Sequence, residues 1–184
     1  MQRSEILVSW RQSGLPLRFG RHQAMTLASK VDLVPSSLLL EIARPLEAEV
    51  PDTASDSVAM DKFGSVAFDL GAVLMCEGDL PSAFTWLKVA NSVLDGQRLL
   101  LNYDSRHLAL MHASNTLNLA TLLHERQQPA AEELWWQAKS LLSNARHYER
   151  VSLVEEVLPS AEVDERLISL GRQIAIPEEH ILRS

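Results

Sequence analysis

Cysteine is nearly absent: Cys76 is the one residue of its kind among 184. A lone cysteine cannot close a disulfide within the chain, and no Cys/His zinc spacing exists around it. Glycine is scarce, with 7 residues. Long β-branched runs are missing as well, and both shortages favour helices over sheet. No apolar run approaches the roughly 20 residues of a membrane span. The stretch from Met1 to Gly14 is broken by Arg3, Glu5 and Arg11 and lacks the apolar centre of a signal peptide. A cytoplasmic location without membrane association is the expectation. Positive charge is not concentrated anywhere, and the formal net charge is −7. Nucleic acid and anionic membranes therefore make poor partners.

Catalytic signatures are missing too. There is no Gly-rich phosphate loop, His-Glu-x-x-His or Gly-x-Ser-x-Gly motif. Glu132-Glu133 and Glu155-Glu156 are adjacent pairs, and neighbours on a helix point about 100° apart, so neither forms a dyad by spacing. Asp104 and His107 could share a helix face, but His112 points elsewhere, which leaves a metal short of ligands. Cys76 reads as a small packing residue in a helix. No catalytic residue, metal or cofactor is expected.

Apolar residues make up 46% of the chain and charged residues 22%, an ordinary globular composition for one all-helical domain over 1–184. Apolar spacing predicts helices over about 3–13 and 21–32. A third starts at Val34-Pro35-Ser36-Ser37, with serine as the amide-accepting cap, and Pro45 should kink or divide it near Arg44. These make an N-terminal section, 1–50. Pro51 to Ser57 is a linker. A helix follows from Ser57 to Glu77, with Phe63, Val66, Ala67, Leu70, Gly71 and Leu74 as its buried stripe. Gly78-Asp79 turns, Asp79 caps the next helix, and Pro81 is tolerated in its first turn. That stripe continues through Gly96 to Leu101, and Asn102 to Ser105 turns again. Helices are expected over about 106–126 and 130–146, joined by Gln127-Gln128-Pro129. Capping helices over about 148–158 and 161–173 belong to a C-terminal section, 147–184, whose tail frays from Pro177. Acid is concentrated in residues 51–100 and 151–184, a solvated helix surface or a face for a basic or neutral partner.

One pattern is more specific. Leu70-Gly71-x-x-Leu74 is followed by Gly78-Asp79 and then by Ala83-x-x-x-Leu87-x-x-Ala90. It returns as Leu119-Ala120-x-x-Leu123 with Ala131-x-x-x-Trp135-x-x-Ala138. Small residues let two helices approach, Gly71 against Ala83 and Ala120 against Ala131, and larger ones fill in beside them. Residues 58–146 thus resemble two tetratricopeptide-type hairpins. Their spacing of 49 residues between Gly71 and Ala120 is wider than usual and is nearest to the long-helix variety. Residues 1–50 and 148–184 do not show the pattern.

The resemblance implies a short α-solenoid of stacked antiparallel hairpins that binds a protein or peptide without catalysis, as an adaptor, regulatory subunit or chaperone-like protein. In that variety an asparagine just before the Leu-Gly/Ala pair holds a peptide main chain. Asn118 matches it, and Asp69 stands there in the first unit. The other groove positions implied are Ser65, Phe68, Ala72, Met75 and Cys76, then Ser114, Leu117, Thr121, His124 and Glu125. None is basic, so no clamp for a carboxylate is expected. The plain alternative for Asn118 is a hydrogen bond between helices. The partner is read as neutral or basic. The chain's own N-terminal helices or a second copy of the chain are alternative occupants of the groove. The rival class is a helical-bundle enzyme or metal protein built from His107, His112, His124 and nearby acids. Trp135 falls on the core stripe. Trp136 must pack on the next helix near Val151 and Val154 or show its ring to solvent or a partner.

Overall fold

The computed structural model describes residues 36–49, 57–100, 106–149 and 160–182. Among these, every regular element is a helix: α1 (Ser36–Glu49), α2 (Ser57–Glu77), α3 (Leu80–Leu100), α4 (Arg106–Glu125), α5 (Ala130–Glu149), α6 (Ser160–Gln173) and α7 (Glu178–Leu182). The helices expected over 3–13 and 21–32, the one expected over 148–158 beyond the Glu149 end of α5, most of the 51–57 linker and the turn at 102–105 lie outside the described residues.

Short connections force the hairpins. Only Gly78 and Asp79 separate α2 from α3, so the two helices run back along each other, and α4 and α5 do the same across residues 126–129. Asp79 caps α3 as expected: its Oδ1 accepts the Ser82 amide at 3.2 Å. Between the helices, Ala83, Leu87, Ala90 and Leu94 of α3 are buried, as are Trp135, Ala138, Leu142 and Ala145 of α5. The hairpins stack through α3 on α4, and α6 lies against both α4 and α5. Helix α4 is central, with every residue from Ala109 to Leu123 buried.

Three local expectations change. Pro45 does not divide α1, which continues through it to Glu49. The carbonyl of Glu41, which loses its amide partner to the proline, lies on the exposed side with Pro45 and can take solvent instead. Ser36 does not simply accept an amide. Its own amide and hydroxyl donate to the Glu77 carboxylate, at 3.3 and 2.7 Å, and so tie the start of α1 to the end of α2. The tail does not fray at Pro177. It forms α7, which buries Ile181, while Arg172 Nε donates to Glu178 Oε1 at 2.9 Å.

Candidate functional site: a polar register on α2, α4 and α6

Helices α2, α4 and α6 end in the same way. Each is closed by a residue in the left-handed region: Gly78 at φ 84°, Gln127 at φ 55° and Ala175 at φ 62°. Each closing residue donates its amide three residues back: Gly78 to Met75, Gln127 to His124, Ala175 to Arg172. Each following residue donates five back: Asp79 to Leu74, Gln128 to Leu123, Ile176 to Gly171. This double bond is the Schellman cap, which satisfies carbonyls that a helix end leaves without partners.

The shared cap puts the three helices in one register. Nine residues before it stand Asp69, Asn118 and Arg166. All three are buried, at 9%, 0% and 7% exposure. Each of the three helices thus buries one polar side chain nine residues before its cap, although burying polar groups costs free energy unless they are paired. Asp69 and Asn118 are engaged in contacts. Arg166 differs: its Nε and Nη2 find no acceptor among the described residues. Burial draws its pKa down to about 10, with the Glu125 carboxylate pulling it back up. The guanidinium stays charged at neutral pH.

Sequence reasoning missed Arg166. Leu170-Gly171-x-x-Ile174 does repeat Leu70-Gly71-x-x-Leu74, but it does not point to Arg166. The Leu-Gly pair alone would have placed Ser169, not Arg166, beside Asn118. Helix α6 ends closer to its Leu-Gly pair, and only the cap reveals the shift.

The other groove candidates are not an open trough. Phe68, Ala72, Met75, Cys76, Ser114, Leu117 and Thr121 are buried. Ser114 and Thr121 turn their hydroxyls onto their own helix and donate to the Leu110 and Leu117 carbonyls, both at 2.7 Å. Ser65 is half-buried and donates to Met111 Sδ at 3.5 Å. Only the end of α4 emerges, with His124 half-buried and Glu125 exposed.

Among the described side chains, His112 and His124 do not converge. His112 and His124 lie 12 positions apart on one helix, about 18 Å along its axis. The His107 side chain lies outside the described residues. His112 belongs to a polar seam between the hairpins. Its Nε2 lies 3.4 Å from Asp95 Oδ1. Asn91 Nδ2 donates to Asp95 Oδ2 at 3.3 Å. Thr116 Oγ1 donates to Asn91 Oδ1 at 3.0 Å, and Asn115 Nδ2 to the Leu87 carbonyl at 2.9 Å. Burial holds the His112 pKa at about 4, against the pull of Asp95.

Trp135 is buried and donates Nε1–H to the Leu167 carbonyl at 2.8 Å. Trp136 is 39% exposed. It thus shows part of its ring to solvent, while that ring also meets His180 of α7 edge-on at 5.5 Å, and Lys139 lies 5.7 Å from its centre. Val151 and Val154 lie outside the described residues.

No family model, curated protein or solved structure matches this chain.

Proposed function

We infer that the chain is a non-catalytic, tetratricopeptide-like module that binds a protein or peptide in the cytoplasm. The observation that carries this reading is the buried register of Asp69, Asn118 and Arg166, one polar residue nine positions before the cap of each of α2, α4 and α6. Core packing alone would favour apolar side chains at all three positions. An asparagine offers both a donor and an acceptor, which suits an extended main chain. The net charge of −7 favours a partner that is neutral or basic overall.

The test uses the full chain as bait. A recovered partner is purified, and its affinity is measured by calorimetry for wild type, Asn118→Ala and Asn115→Ala. Asn115 is the control, because its Nδ2 faces the seam between the hairpins and donates to the Leu87 carbonyl and Asn91 Oδ1. Asn118→Ala should weaken binding roughly threefold to tenfold, the value of one hydrogen bond. Asn115→Ala should lower the melting temperature and leave affinity unchanged. Unchanged affinity for Asn118→Ala, with a lower melting temperature, would make Asn118 a structural residue and sink the reading.

A further inference from the structure

We propose that Arg166 is the receptor for an oxyanion, a carboxylate or phosphate group, which docks on the Nε–Nη2 edge of its guanidinium. A guanidinium carries its donors in a rigid fork. Nε–H and the Nη2–H beside it run parallel, at the spacing of two oxygens on one carboxylate or phosphate. In Arg166 both atoms of that edge are buried, and neither has an acceptor among the described residues.

Glu125 does not fill the role. Its charge acts on Arg166, yet Nε and Nη2 remain unpaired, and Glu125 itself is exposed at the end of α4. The charge is therefore partly balanced from one side while the hydrogen-bonding capacity of the edge goes unused. A buried cation with unspent donors is costly. A bound oxyanion removes that cost by supplying two charge-assisted hydrogen bonds and a counter-charge together. Nine residues before the other two caps stand Asp69 and Asn118, so this chemistry belongs to α6 alone. The Glu125 carboxylate, whose charge already acts on Arg166, competes with that anion. The site stands whether or not a protein partner binds.

The experiment titrates the isotope-labelled full chain with sodium acetate and, separately, with inorganic phosphate at constant ionic strength, with chloride as the reference. The readout is the Nε–H resonance of Arg166, assigned through its own backbone. A saturable shift with acetate or phosphate is expected, and whichever anion saturates at the lower concentration identifies the ligand class. Arg166→Lys keeps the charge but loses the fork, and should weaken binding roughly tenfold or more. Glu125→Gln removes the competing charge and should tighten binding about twofold, the scale of a screened surface charge. A shift that never saturates and matches the chloride control would overturn the proposal. So would saturable binding of equal strength in Arg166→Lys. Should Arg166→Lys fail to fold, the wild-type titration and the direction of the Glu125→Gln effect still decide.

Discussion

Gly71 lies so close to Leu87 that a Cβ at position 71 would stand 2.6 Å from both Cγ and Cδ2 of that leucine, and 3.1 Å from its amide nitrogen. The pattern of small residues points to Ala83 as the partner of Gly71. The closest approach falls one turn later, onto a large side chain that bends over the bare glycine. Gly71→Ala should therefore cost about 1–3 kcal/mol by overpacking. Gly96→Ala is the control, because nothing lies within 4 Å of its Cβ direction. That change should be neutral or stabilise by up to about 1 kcal/mol, since alanine is the better helix former. Thermal unfolding of both variants checks the pair, and equal melting temperatures would refute the close contact.

The shared cap makes a second prediction. Gln127 and Ala175 hold positive φ without being glycine, a conformation in which Cβ crowds the backbone. Gln127→Gly and Ala175→Gly should each stabilise the fold by up to about 1 kcal/mol, with some of the gain lost to the freer unfolded chain. Chemical denaturation midpoints should rise for both. The same change away from a cap, Ala138→Gly in buried α5, should lower the midpoint.

Acid should weaken the seam between the hairpins. The folded-state pKa of His112, about 4, lies below its ordinary 6.5, so folding favours the neutral ring. This stability is fully present above about pH 6.5 and is lost as pH falls toward 4, when the unfolded chain takes up the proton first. Its full size is on the order of 3 kcal/mol. Urea midpoints measured between pH 7 and pH 4 (roughly the window of the shift) should fall for wild type. They should fall less for His112→Gln, which has nothing to titrate. Parallel curves would show that other groups govern acid sensitivity.

Trp135 and Gly171 should be energetically coupled. A Cβ on Gly171 would come within 2.9 Å of Trp135 Cζ2, while the same ring donates to the Leu167 carbonyl one turn earlier. Gly171→Ala should destabilise by about 1–3 kcal/mol in wild type. In a Trp135→Leu background, where the ring is gone, it should cost much less. A double-mutant cycle with a coupling energy below about 0.5 kcal/mol would place the two residues apart.

Much of the site was half-legible. Asp69 and Asn118 stand out beside Leu-Gly and Leu-Ala pairs, because small residues at helix contacts leave a local mark. Arg166 left none. Its register depends on where α6 ends, and that end is closed by Ala175, which carries no turn signal of its own. Gly78 announces its cap, whereas Gln127 and Ala175 conceal theirs. Burial of Ser114 and Thr121 was equally hidden, since a hydroxyl bonded to its own helix reads in sequence like one that faces a ligand.

Sequence by itself determined the helical class, the hairpin turns at Gly78-Asp79 and Gln127 to Pro129, and the apolar stripes from Leu70 to Trp135. These follow from periodicity, glycine scarcity and capping chemistry, which act within a few residues. Tertiary structure alone decided that Gly71 meets Leu87, that the C-terminal tail packs through Ile181, that His112 is buried beside Asp95, and that Arg166 shares a register with Asn118. Each joins residues that are distant in the chain or hangs on a helix end carrying no sequence signal. Such pairings are settled by how the hairpins stack.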